Sequence, residues 1–242
     1  MTRIQAHRGA SCERPENTLS AFRRAIELGA GGIELDVHLL PDGELVVHHD
    51  DRLGRCEPEA EGSLYHYTAG QLARINAGGR FSPQWTDGIS RFSEVLDLIA
   101  PSGLYLNVEI KANTGFLNDI AARTIAMLRD YGMEGRSIIS SFNHFVLKQV
   151  CQLAPEMPTG VLYSDTYGQD MVAYACRHGF QALHADYHLV DEKLVTAAHA
   201  AGLEVNVWTV DEPEDIRHQL SLGVDNLISN NPALALELAS GR

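Results

Sequence analysis

Two acids interrupt an apolar run in alternate positions: Glu34 and Asp36, within Gly32-Ile33-Glu34-Leu35-Asp36-Val37. Side chains at i and i+2 of a strand leave the same face, so the two carboxylates project together. Like charges held that close call for a cation, and such a pair is a ready oxygen site for a hard divalent metal. The spacing recurs at Glu109 and Lys111, at the end of the apolar run from Leu104 to Ile110. Glu109 can complete a three-carboxylate cluster there, while Lys111 points the same way toward an anion. Three carboxylates suit Mg²⁺ or Ca²⁺ better than Zn²⁺, which prefers nitrogen and sulfur. Two further pairs fall at the ends of apolar runs, His7-Arg8 after Ile4-Gln5-Ala6 and His48-His49 after a hairpin.

Positioning these groups requires a scaffold, and the hydrophobic pattern predicts one. Strand Ile4 to Ala6 is followed by a helix from Asn17 to Leu28, capped by Asn17 or Thr18 and closed by Gly29. The second strand holds Glu34 and Asp36. A hairpin from Leu39 to His48 turns at Pro41-Asp42-Gly43. Residues 50–90 break the alternation and predict a small insertion over the domain, with one helix around Ala69 to Ile75. Helix Phe92 to Ile99 and strand Leu104 to Ile110 resume it. Helices then run from Asn118 to Arg129, Phe145 to Leu153, Met171 to His178, Glu192 to Ala201 and Glu212 to Leu222, with a last one from Pro232. The strands between them are Ser137 to Ser140, Gly160 to Tyr163, Ala182 to Ala185, Glu204 to Thr209 and Asn226 to Ile228. Eight strand–helix units predict an α/β fold, a (β/α)₈ TIM barrel occupying residues 1–242 as a single domain. A doubly wound sheet is the alternative, but no G-x-G-x-x-G follows the first strand. In such a barrel the carboxyl ends of the strands carry the chemistry, and the suspicious residues gather on that one rim.

A net charge of −13 argues against nucleic acid or an anionic membrane as the main partner. Cys12, Cys56, Cys151 and Cys176 form no C-x-x-C pair, so reduced thiols in a cytoplasmic protein are expected. No apolar stretch approaches a membrane span, which predicts no stable membrane insertion. The oligomeric state is open.

The motifs His7-Arg8-Gly9, Pro15-Glu16-Asn17-Thr18, Glu34-x-Asp36, His49-Asp50-x-x-Leu53-x-Arg55 and Glu109-x-Lys111 resemble those of the glycerophosphodiester phosphodiesterase family. Ser140-Ser141-Phe142 and Val207-Trp208-Thr209-Val210 fall where that family carries similar stretches, and the resemblance runs from about residue 3 to 232. It implies a barrel enzyme that hydrolyses small-molecule glycerophosphodiesters, such as glycerophosphocholine or glycerophosphoethanolamine, to sn-glycerol 3-phosphate and an alcohol. It further implies that Glu34, Asp36 and Glu109 hold a divalent cation, that His7 and His49 are an acid/base pair, and that Arg8 and Lys111 bind phosphate. The insertion after His49 would roof the pocket. The alternatives are a lysophospholipase D-like or cyclising phosphodiesterase on a related lipid-derived diester, and a catalytically silent binding barrel.

Plainer readings stand beside these. Glu34 and Asp36 alone would suit a solvated edge strand. His48 should face away from His49 and act structurally. Asp50 either orients a neighbour or forms a turn, and Glu16 either partners Arg8 or favours a helix N-terminus. Trp208 and Phe142 either line the substrate pocket or pack the core. The remaining histidines, His38, His66, His144, His178, His184, His188, His199 and His218, are expected to be surface or satisfied groups. Three departures from the family pattern are visible. Ser229-Asn230-Asn231-Pro232 replaces Thr-Asp-x-Pro and loses a carboxylate, and Cys56 stands in place of a threonine. The leaving-group side falls in the variable insertion, where Tyr65, Tyr67, Phe81 and Trp85 are available for a choline cation.

Overall fold

The computed structural model describes residues 1–82, 84–112, 119–166 and 168–241. Eight parallel strands form the barrel: β1 Arg3–His7, β2 Gly32–Leu39, β3 Tyr105–Ile110, β4 Ser137–Ser141, β5 Thr159–Tyr163, β6 Ala182–Asp186, β7 Glu204–Trp208 and β8 Asn226–Ser229. Each pairs with the next, and β8 pairs back onto β1, so the sheet is closed and has no free barrel edge. Helices α1 Leu19–Leu28, α2 Phe92–Ile99, α3 Ile120–Asp130, α4 His144–Leu153, α5 Met171–His178, α6 Glu192–Ala200, α7 Pro213–Leu222 and α8 Pro232–Ala239 return the chain between strands. The Asn118 start expected for α3 lies outside the described residues.

Local chemistry sets the element ends. The Thr18 side chain accepts the Ala21 N–H at the start of α1, and Gly29, at φ 74°, ends the helix in the left-handed region. Asp170, Asp191 and Asn231 cap α5, α6 and α8 in the same way. All eight residues of β2 are buried, as expected for a strand covered on both faces. That strand runs two residues beyond the predicted end, because Val37, His38 and Leu39 pair antiparallel with Leu45–Val47. Glu34 and Asp36 therefore lie inside the strand rather than at its last residues, although they still face the rim of the barrel proper.

Between β2 and α2 the chain makes its excursion. Arg52–Leu53 pairs with Gly62–Ser63, and the α-helix among the described residues there is Ala69–Leu72, shorter than predicted. Leu40, Val46, Leu53, Leu64, Ala69, Leu72, Ala77 and Ile89 bury one another in a small apolar cluster of their own.

The barrel interior carries a polar ladder. Gln5 donates to Asn226 at 2.8 Å, Asn226 to Asn206 at 2.6 Å, and Asn206 to His184 Nε2 at 2.7 Å. His184 is buried and its Nδ1 has no partner among the described residues, so it is only half satisfied, unlike the expectation for that group. Burial pushes its pKa down to about 3, which keeps the ring neutral. A Cβ on Gly160 would lie 2.3 Å from that ring, so only glycine leaves room for it.

Candidate active site

Strand register assembles the polar rim. His7 pairs with Glu34 across β1 and β2, and Asp36 pairs with Glu109 across β2 and β3. One carboxylate oxygen from each of Glu34, Asp36 and Glu109 lies within 4.8 Å of the others, and all three residues are buried. Lys111 Nζ sits 2.6 Å from Glu109 Oε1 and 3.0 Å from Asp36 Oδ1. Asp36 Oδ2 accepts from Asn17 Nδ2 at 2.7 Å, with Arg8 Nε 3.5 Å away. Glu34 Oε2 accepts the Arg8 backbone N–H at 3.0 Å and lies 3.8 Å from His7 Nε2.

Three buried acids share two cations, and the imbalance shows in their ionisation. Burial and the neighbouring Asp36 and Glu109 charges push Glu34 well above the usual carboxylate range. Burial and Asp36 push Glu109 up to about 7 despite Lys111. At Asp36, burial opposes ionisation, but Lys111 and Arg8 outweigh it and hold the group far below its ordinary value. A buried cluster of oxygen donors with surplus negative charge fits a hard divalent cation, which would relieve the repulsion.

Both candidate histidines are held at Nδ1. His7 Nδ1 lies 2.7 Å from Asn230 Oδ1, and His49 Nδ1 lies 2.6 Å from Asp50 Oδ1. Each acceptor is a carbonyl or carboxylate oxygen, so each ring donates there and keeps Nε2 as its other nitrogen. Burial and Arg8 push His7 down to about 4, while burial lowers His49 more modestly. Behind His49, Asp50 is gripped by Arg55 Nε, and Arg55 also forks onto Glu16 at 2.6 and 2.7 Å. Glu16 in turn accepts from Arg8 at 2.8 Å, so the two histidine loops are tied by one chain of charged hydrogen bonds. Arg8 and Asn17 both adopt φ 55°, a left-handed conformation uncommon outside glycine, and the Asn17 N–H bonds the Arg8 carbonyl at 2.9 Å.

A cleft of about 100 Å³ collects His7, Arg8, Glu34, His49, Glu109, Lys111, Phe142 and Trp208 on its walls, and the buried Asp36 contacts two of them, Arg8 and Lys111. Phe142 and Trp208 meet edge to face at 5.5 Å and give it an apolar side. Tyr65, Tyr67, Phe81 and Trp85 do not line this cleft. Their contacts lie elsewhere: Tyr65 OH is 2.9 Å from His38 Nδ1, Tyr67 OH donates to the Glu61 carbonyl, and Arg14 covers Trp85 at 4.7 Å. His48 turns away, with Nε2 2.9 Å from Glu57 Oε1 and Nδ1 2.8 Å from the Asp50 carbonyl.

The His48–Glu57 pair clasps the excursion to the His49 turn and makes a testable contribution to stability. Burial opposes both charges, but each partner outweighs it, raising His48 and lowering Glu57. The Glu57 contribution is present above its unfolded value of 4.5 and is lost as pH falls through the lowered folded value. The His48 contribution is present below its unfolded value of 6.5 and is lost as pH rises through the raised folded value. Glu57→Ala is therefore expected to cost about 1–3 kcal/mol in urea unfolding. The difference from the parent chain should be greatest between pH 4.5 and 6.5. A difference that does not vary with pH would assign the effect to packing alone.

Three residues the sequence does not single out as site groups join the rim: Asn17, a helix cap by its position, which bonds Asp36, and Asp211 and Ser11, which bond Asn230 behind His7.

The model of the Glycerophosphoryl diester phosphodiesterase family matches residues 7–234. The chain is 37% identical to a glycerophosphodiester phosphodiesterase of Caldanaerobacter subterraneus subsp. tengcongensis, covering 98% of this chain and 97% of that protein. It is 33% identical to one of Bacillus altitudinis, with 98% of each covered. The solved structure of an Oleispira antarctica phosphodiesterase in complex with the product sn-glycerol-3-phosphate superimposes with a TM-score of 0.92 at 27% identity, covering 100% of this chain and 98% of that one.

Proposed function

The chain belongs to the Glycerophosphoryl diester phosphodiesterase family, and from that premise we propose that it hydrolyses glycerophosphodiesters such as glycerophosphocholine or glycerophosphoethanolamine to sn-glycerol 3-phosphate and an alcohol, with His7 and His49 moving the protons. The observation that carries this reading is one cleft joining two Nδ1-anchored histidines, three buried acids and the cations Arg8 and Lys111.

Glu34, Asp36 and Glu109 would hold the divalent cation, Mg²⁺ or Ca²⁺. Such an ion supplies Lewis-acid neutralisation of a phosphoryl oxygen and lowers the pKa of an attacking oxygen. Lys111 and Arg8 add positive charge where the phosphorane oxygens become more negative. Arg8 Nε is buried and faces Asp36 Oδ2 at 3.5 Å without a well-formed hydrogen bond, so an incoming phosphate oxygen would compete with Asp36 for it. A diester carries a poor leaving group, so the departing alkoxide needs a proton while the attacking hydroxyl must lose one. The Nε2 atoms of the two histidines can share those transfers near neutral pH. Phe142 and Trp208 offer an apolar wall to the carbon skeleton of glycerol.

The excursion belongs with the barrel in a single domain, since it carries the residues that fix the His49 turn. No helix of the described residues is long and apolar enough to cross a membrane. Four free thiols fit a reducing compartment, the cytoplasm.

Purified protein supplied with Mg²⁺ or Ca²⁺ is expected to release sn-glycerol 3-phosphate from glycerophosphocholine, read by a coupled dehydrogenase assay. Running several head groups in the same assay ranks the alcohols. Failure to release the product from every glycerophosphodiester supplied would overturn the reading in favour of a silent binding barrel.

A further inference from the structure

His7 and His49 are anchored by different chemistry. Asp50 is a carboxylate and can only accept the His49 Nδ1 proton, whereas the carboxamide of Asn230 could present either oxygen or NH₂ to His7. With NH₂ presented, Nδ1 would have to accept and the ring proton of a neutral His7 would move to Nε2, the wrong atom for taking a proton from the substrate side. We infer that Asp211 and Asn230 form a positioning pair that prevents this: Asp211 orients the Asn230 carboxamide, and Asn230 fixes the His7 tautomer with Nε2 bare. The inference deepens the proposed proton-transfer role of His7 and rests on it.

Hydrogen bonds specify the amide orientation from both ends. Asp211 Oδ2 accepts from Asn230 Nδ2 at 2.6 Å, and a flipped amide would place two oxygens at that distance. Asp211 cannot swing aside easily, because its Oδ1 also accepts from the Asn230 backbone N–H at 2.8 Å and from Ser229 Oγ at 3.0 Å. On the far side, Asn230 Oδ1 receives Ser11 Oγ–H at 2.8 Å together with the His7 Nδ1–H at 2.7 Å. The frame is stiff: Ala6 pairs with Ser229 across β1 and β8, and Asp211 follows β7, the strand paired on the other side of β8. The carboxylate missing from Ser229-Asn230-Asn231-Pro232 is thus supplied one loop earlier, by Asp211, with an amide inserted between it and the imidazole.

Asp211→Asn tests the pair without changing its shape, since the new amide no longer dictates how Asn230 turns. It is expected to lower kcat on glycerophosphocholine about 10- to 100-fold while KM stays within about twofold, the usual scale for a group that orients a functional side chain. Asn230→Asp alone sets two carboxylates against each other and should also lose turnover. The exchanged double variant Asp211→Asn/Asn230→Asp restores donor against acceptor and should recover kcat to within about fivefold of the parent chain. A merely structural role would not move the second readout, the ¹⁵N shifts of the histidine ring at a pH where it is neutral, assigned by their loss in His7→Gln. The parent chain should show His7 protonated at Nδ1 and bare at Nε2, and Asp211→Asn should show a mixture of tautomers. An Nε2-protonated His7 in the parent chain overturns the inference. So does a double variant no better than Asp211→Asn, or an Asp211→Asn protein with parental kcat and tautomer. The ring-nitrogen measurement on the parent chain decides the matter even if the protein hydrolyses no glycerophosphodiester, so failure of the functional reading and failure of this one are told apart.

Discussion

Replacing His49 with alanine is expected to lower kcat on glycerophosphocholine about 10³-fold, the middle of the range for a positioned acid–base group. Thermal unfolding should scarcely change. The ring is partly exposed, its only side-chain hydrogen bond among the described residues is to Asp50, and Asp50 keeps its Arg55 partner when the ring is gone. The three acids keep their hydrogen-bonding partners, since no oxygen of Glu34 or Glu109 is bonded to His49, and Asp36, which feels His49 only through charge, keeps Asn17 and Lys111. Binding of a divalent cation, followed by calorimetry, should therefore be retained. That combination separates a proton-transfer role from a structural one. A variant within tenfold of the parent kcat would remove His49 from the chemistry, and a variant that loses both fold and metal would make it a structural residue.

The barrel was legible because its signals are local and repeated: eight apolar runs, each followed by a helix-period stretch, with caps such as Thr18 and Gly29 at the seams. Glu34, Asp36, Glu109 and Lys111 stood out for the opposite reason, as charges in runs that burial should have kept apolar. What stayed hidden depends on distant partners. Asp211 looks like one of several acids favoured before a helix, and only the closure of β8 against β1 brings its loop behind Asn230 and His7. The half-satisfied His184 is another such case, because nothing in Ala182-Leu183-His184-Ala185 tells which neighbour faces the ring, and the answer is a glycine on β5 and an asparagine on β7. The excursion resisted reading since its strands are two residues long, too short for a period of two to declare itself. Its aromatics were accordingly misjudged as pocket groups, while the structure shows Tyr65 bonded to His38, whose other nitrogen lies 3.2 Å from the His49 carbonyl.

The acid cluster predicts a trade between function and stability, and Glu109→Gln should expose both sides of it. The amide keeps the shape of the side chain but removes a charge that burial and Asp36 already disfavour. In chelator, where no cation offsets the repulsion, this variant is expected to be more stable than the parent chain by on the order of 1 kcal/mol, a rise of about 2–4 °C in Tm for a protein of this size. With Mg²⁺ or Ca²⁺ present the order should reverse, because an ion that binds only the folded parent chain stabilises it by mass action, and the variant has lost one of three oxygen ligands. Turnover should fall about 10³-fold in the variant, and in the parent chain excess chelator should abolish it, since the Lewis-acid contribution to a phosphodiester transition state is worth several kcal/mol. Lys111 separates loss of the cation from collapse of the cleft. Its ammonium is held by Glu109 and Asp36, and both raise its pKa against burial, so in the variant it remains paired with Asp36 and the cleft does not collapse. A loss of activity with an intact fold is then a loss of the cation. Full activity of the parent chain in excess chelator, or a Glu109→Gln variant that binds the ion and turns over normally, would transfer the task of charge neutralisation to Arg8 and Lys111 alone.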